Sequence, residues 1–187
     1  MTSMTKRETR KEAAKRRDSL SQDQISLYSE QICGKLFRLP VFCSADTIYA
    51  YVSCRSEVRT EAILRKAWQQ NKKVAVPRVE GEHIVFYEIR SFDDLLPGYY
   101  DIPEPVEGCI PSVLTDKTLV VMPGLAFDES RHRCGYGKGF YDRFLHTYPG
   151  HATCAISFET QIFDEIPADE TDVKPDLILT EKRMLVP

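Results

Sequence analysis

Between residues 47 and 77 the chain places a β-rich run, a helical stretch and a second β-rich run so close together that few folds can hold them. Residues 47–52 (TIYAYV) are β-branched and aromatic. Thr60 stands at the expected cap of a helix over 60–71, with Ile63, Leu64, Ala67 and Trp68 on the inward face, and residues 73–77 (KVAVP) form the next β-rich run. A single helix between two strands is a βαβ crossover, which makes the two strands parallel. Parallel sheets are covered on both faces, so their strands read as continuous apolar runs. Residues 118–122 (TLVVM) read that way. A helix expected over 140–148 stops at Pro149-Gly150, and residues 152–157 return as a strand, giving a second βαβ unit. Residues 83–88 (HIVFYE) alternate as a further strand, and 177–179 are expected to end the sheet. The fold class is α/β, a mostly parallel sheet with helices on both faces. Such sheets bind ligands beyond the carboxyl ends of their strands.

At 187 residues the chain suits one domain, and 42% hydrophobic residues provide a core without staples. Residues 6–17 read as a basic helix, which ends before Ser21 and Gln24, the two sides of a capping box. The helix that follows carries Ile25, Tyr28, Ile32 and Leu36 on one face and ends before Pro40. Residues 97–111 hold four prolines and two glycines and read as a long irregular connection. Charge is uneven. Residues 1–17 hold seven basic and two acidic residues, a net +5, so the whole-chain charge of −3 leaves −8 for the rest. A basic arm on an acidic body points to an anionic ligand met by the arm, or to a merely solvated helix; a nucleic-acid surface would need a basic patch on the body. No run of 18 apolar residues is present, and the opening MTSMTKRETR lacks the apolar segment of a secretory signal. The six cysteines form no CxxC pair and no zinc spacing with histidine, so free thiols in a cytoplasmic protein are expected.

The segment richest in chemistry is RCGYGKGFYDR, residues 133–143. Gly135, Gly137 and Gly139 alternate ahead of a helix start, where backbone N–H groups are open to an anion. Arg133 and Lys138 add charge, and the whole reads as a phosphate cradle. The alternative is a plain turn between strand and helix. The pattern is neither GxGxxG nor a P-loop. Asp142, in the first turn of the helix, either complements the helix dipole or binds magnesium, which takes one or two protein carboxylates; Asp172 is the candidate second carboxylate. Glu57 follows the first strand and points at the expected cleft, unless it is only a solvated loop carboxylate.

These motifs, taken together, resemble the 5-formyltetrahydrofolate cyclo-ligase family. The resemblance runs nearly end to end: KRETR at 6–10 with Leu20-Ser21, EVRT at 57–60, VPR at 76–78, Leu96-Pro97 with IPEP at 102–105, MPGLAFD at 122–128, GYGKGFYDR at 135–143 and DVKPD at 172–176. It implies a single three-layer α/β domain over residues 1–187, with a basic N-terminal helix, residues 1–20, packing on an ATP site. It implies ATP-dependent cyclisation of 5-formyltetrahydrofolate to 5,10-methenyltetrahydrofolate with release of ADP and phosphate, aided by magnesium. On that resemblance Lys6, Arg10, Arg133, Gly135, Tyr136, Gly137, Lys138, Gly139, Phe140 and Tyr141 bind ATP. Lys138 and Arg133 act on the transferring phosphoryl group. Val52, Glu57 and residues 136–140 meet the folate, and Asp142 and Asp172 hold the metal. The partners implied are these small molecules, with no nucleic acid or membrane, and a monomer is expected.

Three positions depart from the family pattern: Arg131 where glycine is usual, Cys134 where leucine is usual and Phe140 where tyrosine is common. The implied reaction needs positioning and charge neutralisation more than a covalent nucleophile. None of the four histidines is expected to be catalytic; His132 is the nearest to the loop. Two other readings of the same residues remain: a kinase or ligase using the cradle on another acceptor, and a non-catalytic folate-binding regulator.

Overall fold

In the computed structural model, which describes residues 4–99 and 102–187, a seven-stranded sheet forms the centre of the protein. The chain begins with helices α1 (Lys6–Asp18), α2 (Gln22–Leu36) and α3 (Pro40–Ser44). Then come strand β1 (Thr47–Ala50), helix α4 (Glu61–Gln69), and strands β2 (Lys73–Glu80) and β3 (His83–Ile89). A small hairpin, β4 (Leu95–Pro97) and β5 (Pro103–Pro105), precedes β6 (Thr118–Met122). Next are β7 (Ala126–Asp128), β8 (Arg133–Cys134), helix α5 (Phe140–Thr147) and β9 (Ala152–Ile156). Strands β10 (Ile162–Phe163), β11 (Leu177–Leu179) and β12 (Met184–Leu185) complete the chain.

The sheet order is β12-β11-β9-β6-β1-β2-β3. Its five inner strands are mutually parallel, and an antiparallel strand flanks each edge. Both expected βαβ units are present. The two-residue period sorts the strand side chains between the faces. Ile48, Val74, Leu119, Val121, Cys154 and Ile156 pack under α2, α3 and α4 on one face. Tyr49, Ala75, Val120, Met122 and Ala155 pack with Phe144 and Leu145 of α5 on the other. The α/β reading with helices on both faces is therefore the observed architecture. Strands β1 and β6 are neighbours from which the chain proceeds in opposite directions, so their carboxyl ends form a switch point where a crevice opens.

Several local expectations are corrected. The second helix does end before Pro40, at Leu36, and residues 40–44 form a short helix of their own with Pro40 in the first turn, where its missing N–H costs nothing. Thr60 makes no side-chain cap; its Oγ1 accepts from Ser53 N at 3.0 Å and its N donates to Ser53 Oγ at 3.2 Å, which closes the loop after β1. Helix α4 ends at Gln69, and Asn71 takes the left-handed conformation (φ 56°) that terminates it. Residues 97–111 are not irregular throughout, because β4 and β5 pair. The glycine loop does not follow β6 directly. The hairpin β7–β8 intervenes and joins β10 in a second, three-stranded sheet. The sheet ends at β12, not at residues 177–179. The capping box at Ser21 and Gln24 is present, as is a second at Thr5 and Glu8. All six cysteines are free thiols.

Candidate functional site

Helix α1 sets one wall of the site, and its residue spacing explains how. Lys6, Arg10 and Arg17 lie four and eleven positions apart, within about 40° of one another at roughly 100° per residue. Thr9 and Ala13 lie on the same side and are fully buried. Ala13 packs with Leu125, Ala126, Cys134, Phe163 and Ile166, and this cluster seats the helix on the β7–β8 hairpin. Arg16 completes the seat by stacking its guanidinium 4.1 Å from the Phe163 ring centre. The basic helix is thus docked, and three of its cations face a cavity of about 780 Å³.

The glycine loop forms the floor at one end. Arg10 Nε donates to Gly135 O at 2.9 Å. Gly137 has φ 97°, a conformation that L side chains rarely adopt, so the backbone there suits glycine. Gly139 caps α5 in the left-handed conformation (φ 66°) with no side chain on the first N–H groups, which leaves them open toward the cavity. Arg133 is buried and pairs with Asp142 (Nη2 to Oδ1, 2.7 Å), while its Nε is buried without a partner. Tyr141 Oη is likewise buried and unpartnered among the described residues. Burial pushes that phenol well above its ordinary range. Lys138 is exposed at the rim and makes no ion pair or hydrogen bond among the described residues.

Asp142 and Asp172 stand side by side through the backbone, since Val173 N donates to Asp142 Oδ1 at 3.1 Å. Lys6 bridges Asp172 and Asp169, at 2.6 Å to the latter. Burial disfavours the Lys6 ammonium, but its hydrogen bonds to the two aspartates outweigh that and raise its pKa. Asp172 responds in the opposite sense. Burial alone would raise it, and the hydrogen bonds from Lys6 and the Asp169 N–H hold it below its ordinary value. Each of Asp142 and Asp172 uses one carboxylate oxygen in these contacts and keeps the other outside them. A two-carboxylate, water-rich magnesium site fits that donor set. Among the described residues no three His, Cys, Asp or Glu side chains gather as a metal cluster.

The side of the cavity around Glu57, which the loop reaches through Tyr136, is built differently. The loop after β1 turns tightly, with Glu57 N donating to Cys54 O at 3.1 Å and Arg55 in the left-handed region (φ 51°). This turn buries Glu57, which is 7% exposed. Cys54 N donates to Glu57 Oε2 at 2.9 Å, and the Tyr136 hydroxyl donates to Oε1. Burial, and then the Glu57 charge, push the Cys54 thiol up to about 11, so it is not an activated nucleophile. Burial also raises the Tyr136 phenol, with the Glu57 charge adding to the shift. Val52, Pro77, Val79, Ile84, Ile102 and Pro103 give the cavity its apolar walls.

All fourteen residues singled out from the sequence line this one cavity. His132 does not; its Nδ1 lies 2.8 Å from Asp128 Oδ2, and His146 is the histidine that faces the cavity, with Nε2 2.9 Å from Thr171 O. Arg17, Arg55, Arg143 and Asp169 line it without having been foreseen. For Arg17 a signal existed in its helical spacing from Lys6 and Arg10. For Asp169 none did, because its place depends on how the 164–176 connection folds back.

The profile of the 5-formyltetrahydrofolate cyclo-ligase family matches residues 2–181. The chain belongs to the 5-formyltetrahydrofolate cyclo-ligase family. The mouse 5-formyltetrahydrofolate cyclo-ligase is 31% identical over 94% of this chain and 93% of its own. The Escherichia coli K12 enzyme of the same name is 24% identical over 90% of this chain and 96% of its own. The NMR structure of the Aquifex aeolicus 5,10-methenyltetrahydrofolate synthetase superposes with a TM-score of 0.84 at 31% identity, covering 97% of this chain and 92% of that one. As a cyclo-ligase-family enzyme, this protein carries its cation-rich glycine loop and its buried Glu57 in one continuous cavity.

Proposed function

We propose that the protein cyclises 5-formyltetrahydrofolate to 5,10-methenyltetrahydrofolate at the cost of ATP, releasing ADP and phosphate. The observation that carries this reading is the single cavity lined both by a cation-flanked glycine loop and by a buried, hydrogen-bonded carboxylate. ATP lies with its phosphates on the 135–141 loop, met by Lys6, Arg10, Arg133 and Lys138. The pterin lies at Val52 and Glu57, whose carboxylate accepts from its ring N–H groups. Tyr136, Gly137, Lys138, Gly139 and Phe140 face both substrates.

A formamide is a poor electrophile. Transfer of the γ-phosphoryl group to the formyl oxygen turns that oxygen into a leaving group and releases ADP. The neighbouring N10 attacks the activated carbon, its proton passes to solvent, and phosphate leaves as the C–O bond breaks and the ring closes. Lys138 and Arg133 neutralise charge as it moves between the oxygens, and the open N–H groups of α5 add their dipoles without reorganising. Asp142 and Asp172 hold magnesium, which when bound neutralises charge on the phosphates. The departures at Arg131 and Cys134 leave the cations, the glycines and the two aspartates in place, and Phe140 removes a hydroxyl from the substrate-facing loop. Arg131 adopts φ 62° and donates to Pro175 O at 2.8 Å, which stabilises the turn where the family uses glycine.

We further infer that residues 1–187 act as one domain and as a monomer, with α1 closing the ATP end; of the expected helix 1–20 only Lys6–Asp18 is helical among the described residues, and residues 1–3 lie outside them. No helix among the described residues is long and apolar enough to cross a membrane. The six free thiols suit a reducing compartment, and we assign the protein to the cytoplasm. The test mixes protein, magnesium-ATP and 5-formyltetrahydrofolate and follows the methenyl absorbance together with ADP. Product above a no-enzyme control, dependent on both substrates, is expected. ADP without methenyl product, or folate binding without turnover, would instead support a different acceptor or a binding protein.

A further inference from the structure

The cations of α1 do not all face the phosphate end. Arg17 sits one helical stack beyond Lys6 and Arg10, and its side chain is 7% exposed. Its Nη1 donates to the Tyr136 hydroxyl at 2.7 Å, and its Nε donates to Ser56 Oγ at 3.0 Å. The same hydroxyl donates its proton to Glu57 Oε1. A phenol has one proton. With its acceptor side filled by a guanidinium, that proton is directed at the carboxylate and nowhere else. Tyr136 is half exposed as a residue, yet its hydroxyl end lies inside, between the two charged groups. Ser56, its other hydrogen-bond partner, is the residue before Glu57 and itself donates to Asp18, which lies 3.8 Å from Arg17 Nε; Arg17 thus holds the carboxylate loop twice, once through the sequence neighbour of Glu57 and once through the phenol.

We propose that Arg17 is a positioning residue for the folate end of the cavity: it fixes the Tyr136 hydroxyl as a donor to Glu57 and so sets which carboxylate lone pairs face the pterin. The proposal rests on the folate reading above. Without Arg17 the phenol is free to rotate and to accept rather than donate. Glu57 then loses one of its two orienting donors, and folate binding must order the carboxylate itself. Because Lys6 and Arg10 serve the other end of the same helix, the effect is expected on folate and not on ATP.

The experiment compares wild type, Arg17→Gln, Arg17→Lys, Tyr136→Phe and the Arg17→Gln/Tyr136→Phe double variant. It reads KM for each substrate, kcat, 5-formyltetrahydrofolate affinity by calorimetry and the thermal midpoint. Arg17→Gln is expected to raise the folate KM about ten-fold, as losing a charge-assisted hydrogen bond does, with the KM for ATP within about two-fold of wild type. Arg17→Lys, which keeps one charged donor, falls between the two. Tyr136→Phe preserves the ring and the fold, so it reports on the hydroxyl even where an Arg17 variant is unstable. The double variant is expected to fall well short of the product of the two single effects, since the part of the Arg17 effect that passes through the hydroxyl is already lost in Tyr136→Phe. An unchanged folate KM in Arg17→Gln overturns the proposal. So does an equal rise in both KM values with a lowered thermal midpoint, or an effect that multiplies fully with Tyr136→Phe. A wild type that neither binds nor cyclises the folate overturns the functional reading and this proposal with it. A wild type that does both, with variants in the wrong pattern, overturns the proposal alone.

Discussion

The two ends of the cavity hold charge in opposite ways. At the Glu57 end a single carboxylate is buried, and each of its oxygens already accepts a protein hydrogen bond. At the glycine-loop end the charges are several and mostly positive, Lys138 reaches out unpaired among the described residues, and Arg133 Nε is buried without an acceptor. A neutral heterocycle with several N–H groups needs directional acceptors fixed in advance. A mobile polyphosphate brings its own charge and many oxygens, so donors left open for it cost little before it arrives. On the proposed reading, pre-paired groups select shape while unpaired ones wait for charge.

The largest expected effect comes from breaking the phosphate end at its buried centre. Arg133→Met leaves Asp142 without its cation, and removing one partner of a buried pair costs about 3–5 kcal/mol. Both a lowered denaturant midpoint and lost turnover are expected. Normal stability with lost turnover would show that Asp142 is already satisfied by the Val173 N–H. Next comes Glu57→Gln, which turns one acceptor into a donor facing the Tyr136 hydroxyl and the pterin N–H groups. It should weaken folate binding by roughly 1–3 kcal/mol while leaving ATP affinity near wild type in calorimetry. Unchanged folate affinity would make Glu57 a structural loop residue and erase the contrast between the two ends.

Lys138→Ala should act in the mirror sense, costing ATP use up to about 1.5–3 kcal/mol, with the lower end favoured by its exposure to solvent. A larger loss in folate affinity than in ATP affinity would reverse the two assignments. The smallest effect concerns pH. Asp172 titrates below its ordinary value in the folded chain, so its pairing with Lys6 contributes stability above about pH 4 that is lost as pH falls through the lowered folded value. Lys6 is raised, so its contribution is full below about pH 10 and is lost as pH rises through the raised folded value. For a pair at the surface each contribution is under about 1 kcal/mol. Denaturant titrations of wild type and Asp172→Asn should converge at low pH and separate near neutrality; curves that stay parallel would remove the ion pair from the stability of the α1 dock.

Local pattern made some parts of this molecule readable in advance and left others dark. The TLVVM run, the capping box at Ser21 and Gln24 and the alternating glycines are statements about neighbouring residues, and each appears where the spacing placed it. Thr60 was misread because a hydroxyl beside a helix start serves either the helix or a loop, and Ser53 was the better partner. The β7–β8 hairpin was missed because strands of three and two residues carry too little alternation to register. His132 is near the glycine loop along the chain but turned away in space, while His146 arrives on the first face of α5 after a further turn of helix.

Period and spacing alone determined the α/β class, the parallel pairing of β1 and β2, the alternating-glycine loop before α5 and the basic face of the first helix. Backbone geometry and side-chain period act over a few residues, and each of those features lies within such a window. Tertiary structure alone decided that β6 would insert beside β1 to open a crevice, that Lys6 would meet Asp169 and Asp172 across more than 160 residues of chain, and that Arg17, Tyr136 and Glu57 would share one hydroxyl. Contacts between distant segments depend on how the helices and sheet close on a common core, and no local pattern encodes the distance between side chains that only that closure brings together.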